Sequence, residues 1–231
     1  MSIYAISDLH LAFNKNKPME IFGDNWKNHY EKIRIDWKAK VKDNDLVLLP
    51  GDFSWAMNLE DNLEELKFLE NLPGKKILLK GNHDYWWNTL QKMNKYLAEK
   101  NINTIQFLHN NSYLYKDYII CGTRGWIDSN VEEDIKILKR ELLRLELSLK
   151  EGIEKYGQDK KIIVMMHYPP FIENTKEVDF IELMNNYNVE YCIYGHIHGK
   201  QDEEITTIEN SNIKFKLVSC DYLDFKLWKL K

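Results

Sequence analysis

The sequence has few cysteines, no long apolar run and almost no excess charge of either sign. Its three cysteines form no CxxC pair, and an odd number without a disulfide framework favours a reducing compartment. No apolar run approaches the ~20 residues that a helix needs to cross a bilayer. Residues 3–6 already have the pattern of a strand, which leaves no room for a signal peptide. These absences exclude a disulfide-rich secreted protein and a membrane protein, and they predict a cytoplasmic location.

Length and charge set the next limits. With 231 residues the chain is long for one domain and short for two, so we expect a single compact domain over 1–231. A hydrophobic content of 44% provides a core without disulfide bonds. The net charge of −4 disfavours duplex nucleic acid as a partner, although a local basic groove stays open.

Apolar runs and helical patterns alternate along the chain. Runs without alternating polar residues predict buried strands at 3–6, 46–49, 76–79, 162–166 and 191–194. The predicted helices between and beside them lie near 27–40, 59–70, 86–100 and 178–187. Short strands between 104 and 122 and a C-terminal β-meander over 204–209, 214–219 and 224–229 complete the pattern. The expected fold class is α/β, with two packed mixed β-sheets flanked by helices.

A long amphipathic helix is predicted at about 130–156. Apolar residues recur at alternating steps of three and four positions from Val131 to Tyr156 and form one stripe. Ser129 with Glu132 matches a capping box, and Gly157 suits the C-terminal stop. We expect this helix to pack along the domain. The alternatives are the seam of a homodimer or a movable cover over the site.

Short polar strings directly follow the predicted strands. They are Asp8-Leu9-His10, Gly51-Asp52, Gly81-Asn82-His83-Asp84, His167 and Gly195-His196-Ile197-His198-Gly199. Because open α/β sheets place their ligand sites at the ends of strands, these carboxylates, imidazoles and one amide are expected to converge. Oxygen donors mixed with imidazole suit manganese, iron or zinc better than calcium. The strings therefore predict a metal-dependent enzyme.

The order of these strings resembles that of the calcineurin-like metallophosphoesterases, which is D-x-H, G-D, G-N-H-[DE], an isolated H and G-H-x-H. The match extends from Asp8 to His198, and no motif member is missing. The resemblance implies a four-layer α/β/β/α sandwich with two metal ions. Its implied ligands for one ion are Asp8, His10, Asp52 and His198. Those for the other are Asp52, Asn82, His167 and His196, so that Asp52 bridges the two.

The resemblance also implies the reaction. A hydroxide that bridges the two ions attacks phosphorus directly, without a phosphoenzyme. His83 would lie beside the phosphate and stabilise the transition state or protonate the leaving oxygen. Asp84 would orient the imidazole of His83. Manganese is the ion expected to serve best in assays.

Other residues near the strings are weaker candidates. Arg124 lies in a Gly-flanked loop and could donate to a substrate phosphate, with an ordinary surface ion pair as the alternative. Four tryptophans could form an aromatic rim for a flat substrate group, although core packing is favoured for most of them: Trp55, Trp86, Trp87 and Trp126. His29 and His109 lie outside every string and have no predicted role.

The predicted function is hydrolysis of a phosphoester of small or modest size. A diester is slightly preferred over a monoester, by analogy with compact members of the family. The alternatives are a phosphomonoesterase, a serine/threonine protein phosphatase and a non-catalytic protein-binding scaffold of the same fold. The scaffold is disfavoured because every motif position is intact.

Overall fold

The computed structural model of the chain describes residues 1–13, 17–126, 132–171, 179–199, 207 and 211–231. Within them the strands and α-helices are, in chain order, β1 (Ile3–Ala5), α1 (His29–Lys40), β2 (Leu46–Leu49), α2 (Leu63–Glu70), β3 (Lys75–Leu79), α3 (Leu90–Glu99), β4 (Ile105–Leu108), β5 (Tyr113–Tyr115), β6 (Tyr118–Thr123), α4 (Glu132–Tyr156), β7 (Lys161–Met166), α5 (Asp179–Asn185), β8 (Val189–Tyr194), β9 (Lys214–Leu217) and β10 (Trp228–Lys229). Short 3₁₀ segments lie at Met19–Phe22, Asp24–Trp26 and Glu60–Asn62. The alternation predicted for the first half is confirmed by β1 to α3.

The strands form two five-stranded sheets. The first has the order β10-β1-β2-β3-β4, in which β10 is antiparallel to its neighbour and the other pairs are parallel. The second has the order β5-β6-β7-β8-β9, in which β5 is antiparallel to its neighbour and the other pairs are parallel. The central strands β2 and β7 are buried, except for Lys161 at the start of β7, as expected for sheets covered on both faces. The prediction of two mixed sheets is confirmed.

Three apolar clusters define four layers. Side chains alternate between the two faces of β2, so Val47 packs with Ile33 of α1 and the other helices on that side. Leu48 instead faces the second sheet and lies in one cluster with Ile163 of β7. A third cluster joins the outer face of the second sheet to α4 and α5 and includes Leu149. The order of layers is α/β/β/α, as predicted.

Helix α4 packs along β6 on the outer face of the second sheet. Leu145 and Leu149 of the predicted apolar stripe are buried, whereas Leu143 and Leu147 are exposed. The helix begins at Glu132; the predicted cap at 129 and the first stripe position at 131 lie outside the described residues. α4 has 25 residues but is amphipathic, and no helix in the described ranges combines the length and hydropathy of a membrane span.

The packed face of α4 also carries polar side chains that an apolar pattern does not reveal. Ser148 is buried, donates to the carbonyl oxygen of Asn111 at 2.7 Å and accepts from the backbone of Gly122 at 3.1 Å. Glu141 is buried and accepts from the hydroxyl of Thr123 at 2.7 Å. These bonds fix α4 to β6 at defined positions, which apolar contact alone does not do.

The C-terminal tail differs from the predicted β-meander, and that prediction is wrong. β9 pairs in parallel with β8, and β10 crosses to the first sheet and pairs antiparallel with β1. Between β9 and β10, Ser219 forms an isolated parallel β-bridge with Ser7, which follows β1. At this point the chain passes from the second sheet to the first. A meander requires successive strands to be neighbours, and local sequence does not fix that pairing. Of the predicted strand 204–209, only residue 207 is described.

Candidate metal centre

The predicted metal ligands lie together at one edge of the two sheets. The strands and the ligands that follow them are β1 with Asp8 and His10, β2 with Asp52, β3 with Asn82, β7 with His167, and β8 with His196 and His198. Backbone hydrogen bonds tie the first two loops, from Asp8 N to Gly51 O and from His10 N to Asp52 O, each at 3.0 Å. Because these strands are parallel within each sheet, their carboxyl ends open on this edge, as the sequence predicts.

Four of these residues have a left-handed backbone. The φ angles are 57° at Asp8, 47° at His10, 51° at Asp52 and 70° at His196. Such angles cost free energy for any side chain, and Asp and His are among the residues that adopt them most often. Space is equally restricted, since a Cβ at Gly81 would collide with the carboxylate of Asp52. The chain thus turns sharply after each strand and directs these side chains towards each other.

Asp8, His10 and His198 form the first group that could hold a metal ion. Their ligand atoms lie within 4.8 Å of one another. His198 Nε2 lies 3.7 Å from Asp8 Oδ1, and His10 Nε2 lies 3.8 Å from Asp52 Oδ2. Asp52 therefore borders this group, as expected for a carboxylate shared between two ions.

A second group of acceptor atoms converges around His167. Its Nδ1 lies 3.1 Å from the carbonyl oxygen of Pro50, which only accepts, so Nδ1 carries the proton. Its Nε2 then presents a lone pair, yet it faces Asn82 Oδ1 at 2.6 Å and Asp52 Oδ2 at 3.5 Å. His196 Nδ1 lies 3.0 Å from the same oxygen of Asn82. Acceptor atoms directed at one another repel unless a cation lies between them, so this donor set fits a metal ion.

The carboxylates of the two groups are buried and adjacent. Asp8, Asp52 and His167 also have ligand atoms within 4.8 Å of one another, so the groups adjoin. Burial, together with the nearby carboxylates of Asp8 and Asp84, raises the pKa of Asp52 to about 9. Burial also raises the pKa of Asp8, to about 6. Acids held this close and this deep need cations if both are to ionise.

Three of the ligand imidazoles are in the form that binds metals. Burial lowers the pKa of His196 to about 4. Burial also lowers the pKa values of His10 and His167 well below the usual range, and nearby histidines lower both further. A neutral imidazole offers one lone pair to a cation. The histidines are thus neutral near pH 7 without any change in structure.

Comparison with known families agrees with this geometry. The profile of the family described as Calcineurin-like phosphoesterase matches residues 1–200. The chain belongs to this family. Membership indicates a metal-dependent phosphoester hydrolase, and the matched range contains every site residue that the sequence predicts.

Two solved structures share the fold of this calcineurin-like phosphoesterase. The protein of unknown function AQ665 from Aquifex aeolicus is 19% identical to it, with a TM-score of 0.53, over 99% of this chain and 95% of that one. TT1561 of Thermus thermophilus is 14% identical, with a TM-score of 0.60, over 98% of this chain and 96% of that one. At these identities the likeness shows the fold alone. No curated protein matches the chain.

His83 of the phosphoesterase lies at the centre without joining either group of ligand atoms. Its backbone N–H donates to Asp52 Oδ1 at 2.8 Å. Its ring packs against Trp55, with the ring centroids 4.4 Å apart, and burial lowers its pKa. Its Nδ1 is buried without a hydrogen-bond partner among the described residues. Packing, and not a hydrogen bond from Nδ1, therefore holds the imidazole in place.

The carboxylate of Asp84 has different partners from the predicted one. Its Oδ2 accepts from the backbone N–H groups of Asp52 at 3.0 Å and Gly81 at 2.7 Å. Its Oδ1 accepts from Phe53 N at 3.0 Å, Ser54 N at 3.3 Å and Trp86 Nε1 at 3.0 Å. None of the hydrogen bonds found between described residues joins Asp84 to the His83 ring. Sharp turns leave N–H groups that need a buried acceptor, so Asp84 positions the two loops through their backbones.

Arg124 lies in the loop after β6, where its guanidinium has protein partners. It lies 3.8 Å from the buried carboxylate of Glu141 and 4.7 Å from the ring centre of Trp126. Both Arg124 and Glu141 line a small cavity of about 30 Å³. The ion pair is largely buried and thus differs from the surface pair considered as the alternative. Binding of a substrate phosphate by Arg124 stays a prediction.

Sequence reasoning missed Asp221, which supports a predicted ligand. Its Oδ1 lies 3.0 Å from His198 Nδ1, which leaves His198 Nε2 turned towards Asp8. A carboxylate in this position fixes the tautomer and orientation of a metal-binding imidazole. Burial lowers the pKa of His198, but the hydrogen bond to Asp221 and the charge of Asp8 outweigh it and the pKa is raised. The position of Asp221 after β9 could have indicated this role, because the carboxyl end of β9 lies at the same edge of the two sheets as the ligands.

The four tryptophans near the motifs have different surroundings. Trp86 and Trp87 are buried in the core beside the first sheet, and Trp126 packs on a guanidinium. Trp55 stacks on the ring of His10, with centroids 5.0 Å apart and an interplanar angle of 23°. Core packing is thus confirmed for two of them, and Trp55 is the one that lies at the metal centre.

The two histidines without a predicted role have structural contacts. His29 Nε2 lies 2.9 Å from the carbonyl oxygen of Leu9, between the ligands Asp8 and His10. His109 Nδ1 accepts from Trp87 Nε1 at 3.1 Å. His29 therefore supports the first ligand loop from outside, which no motif indicates.

Proposed function

We propose that this calcineurin-like phosphoesterase uses two divalent metal ions to hydrolyse a phosphoester of small or modest size, with a slight preference for diesters. The observation that carries the proposal is that two groups of ligand atoms adjoin: they share Asp8, and Asp52 faces a histidine of each. The donors are carboxylate, amide and imidazole, a mixture that suits manganese, iron or zinc. The three cysteines are free and buried, which supports a cytoplasmic location.

Each ion has a proposed set of ligands. The first set is Asp8, His10, Asp52 and His198, and the second is Asp52, Asn82, His167 and His196. Bound ions would supply hydroxide for direct in-line attack at neutral pH and Lewis-acid stabilisation of the phosphate. The chain contributes two carboxylates, which leave the loaded centre positive enough to attract an anionic ester.

His83 is the proposed catalytic residue. Its ring lines the large cavity beside the metal centre, so it can reach an ester oxygen there. It would donate a proton or a hydrogen bond to the leaving oxygen, since an alkoxide leaves poorly without one. Asp84 and Asp221 act as positioning residues, because each holds a loop or a ligand and touches no reacting atom.

Assays with added Mn²⁺ test the reaction class. We expect hydrolysis of bis-p-nitrophenyl phosphate and, with a somewhat lower kcat/KM, of p-nitrophenyl phosphate. A phosphoserine peptide is the third substrate, and its preferred hydrolysis would identify a protein phosphatase instead. The metal content is measured in the same samples by mass spectrometry. A chain with both ions bound that hydrolyses none of the three would contradict the proposal and favour a binding scaffold.

The variant His83→Ala tests the catalytic role. We expect kcat to fall about a hundredfold or more, since general acid catalysis contributes that much. The fall should be steeper for an alkyl ester than for a p-nitrophenyl ester, whose leaving oxygen needs little protonation. The metal content should stay normal, because the contact of His83 with Asp52 is made by the backbone N–H, which Ala retains. His109→Ala, at a histidine outside the motifs, is the matched control. Loss of both metals together with activity would make His83 structural.

A further inference from the structure

A cavity of about 680 Å³ opens beside the metal centre. Its lining includes His10, His83 and His198 of the centre and, beyond them, Trp26, Trp55 and Phe22. Pockets of about 300–1,000 Å³ hold most of the surface of a drug-sized ligand. The cavity is therefore much larger than a phosphate group alone requires, and most of it is left for the organic part of the ester.

The wall of this cavity next to the site is apolar. Trp55 packs on both His10 and His83, with ring centroids 5.0 Å and 4.4 Å apart. Trp26 lies beside His10 and His198, at 6.1 Å and 5.9 Å between ring centroids. Apolar surface thus begins directly at the imidazoles, and Phe22 extends it to the exterior with 62% of its surface exposed. The part of a bound ester next to its phosphate would therefore contact these aromatic rings.

The residues that line the cavity carry little free charge. None of the described residues that line it is a lysine or an arginine. The acidic member, Asp221, is already paired with His198 and with the backbone N–H of Gly199. The cations Lys80, Arg124 and Arg144 line the separate small cavity instead. Just outside this lining, Lys17 Nζ lies 5.1 Å from the ring centre of Trp55, so a cation at this wall covers an aromatic ring.

We infer that the organic group of the substrate is largely apolar, that it is at least as large as an aromatic ring, and that it binds against Trp26, Trp55 and Phe22. The inference rests on the proposed function, because it identifies this cavity as the place of the ester's organic group. It favours aryl or long alkyl esters.

Two esters with similar leaving oxygens test the inference with the Mn²⁺-loaded chain. They are phenyl phosphate and 2-naphthyl phosphate. We expect kcat/KM for 2-naphthyl phosphate to exceed that for phenyl phosphate about tenfold, because the second ring fills apolar space. Equal values for the phenyl and naphthyl esters would overturn the inference.

Two variants of one 3₁₀ segment locate the effect. Phe22→Ala should reduce the naphthyl-to-phenyl ratio about fivefold, because it removes apolar surface from the cavity. Ile21→Ala is the matched control: Ile21 is 75% exposed and is not among the residues that line the cavity. Both side chains are exposed, so both variants should fold, which circular dichroism checks. An equal reduction in the two variants would contradict the assigned wall.

Binding separates this inference from the proposed function. Calorimetric titration with phenylphosphonate and 2-naphthylphosphonate, which are not hydrolysed, should show tighter binding of the naphthyl compound. If no ester is hydrolysed but this preference is present, the proposed function fails, while binding of an apolar group in the cavity is supported. If phenyl phosphate is hydrolysed but the phosphonates bind equally, the inference fails alone.

Discussion

Replacing Asp52 by Asn is expected to remove both metal ions and to lower kcat at least about a thousandfold, because metal-ion catalysis supplies several kcal/mol and about 1.36 kcal/mol corresponds to a factor of ten. Oδ2 of Asp52 lies 3.5 Å from His167 Nε2 and 3.8 Å from His10 Nε2, so it faces a ligand of each proposed ion. An amide offers one neutral oxygen in its place. The measurements are metal content by mass spectrometry and turnover of bis-p-nitrophenyl phosphate.

Stability separates this result from unfolding. Asn can still accept the hydrogen bond that His83 N donates to Asp52 Oδ1, and it is uncharged, as is the Asp52 carboxyl of the metal-free chain, whose pKa is raised to about 9. The metal-free variant should therefore melt at the same temperature as the metal-free wild type or at a higher one. Asp117→Asn, at an exposed turn position, is the matched control for the loss of one carboxylate. Normal metal content in Asp52→Asn would contradict its bridging role.

The variant Asp84→Asn is expected to lower the free energy of unfolding by about 3 kcal/mol or more. Each oxygen of Asp84 accepts from at least two N–H groups, so either orientation of the amide places its NH₂ against donors. A buried donor without a partner costs about 1–3 kcal/mol. For a chain of this size the loss corresponds to a melting temperature roughly 6–12 °C lower. Urea unfolding of the metal-free chain measures it directly.

The same variant decides between two roles for Asp84. A positioning residue predicts loss of stability together with weaker metal binding, because the loops of Asp52 and His83 are no longer held. A catalytic partner of His83, as the sequence predicts, would instead give normal stability and metal content with reduced turnover. The structure favours the first outcome, since the Asp84 hydrogen bonds within the described residues go to backbone and indole N–H groups.

Much of the candidate centre could be predicted because its ligands lie in short strings. Spacing within Asp8-Leu9-His10 or Gly195-His196-Ile197-His198 is local, and each string follows a strand that apolar runs reveal. Residues that hold these ligands in place from distant parts of the chain form no such string. Asp221 reaches His198 across 23 positions, and Asp84 reaches Phe53 across 31. Contacts of this kind depend on which loops the fold brings together.

The fold shows the same limit. Parallel strands buried on both faces have a distinctive composition, so both sheets and their helical layers could be predicted. Pairing of the tail could not, because β9 and β10 are short and belong to different sheets. The polar contacts that Glu141 and Ser148 make on the packed face of α4 could not be predicted either, because the pattern that defines an apolar stripe includes apolar residues only.

The left-handed backbone of Asp8, His10, Asp52 and His196 has a consequence beyond catalysis. Each such residue costs about 1–3 kcal/mol in a site that also crowds buried acids together. Ions that bind only the folded chain offset this by mass action. We therefore expect the supply of metal to affect how readily the chain unfolds and is cleaved by proteases, so that scarcity of the ion reduces the amount of the protein as well as its rate.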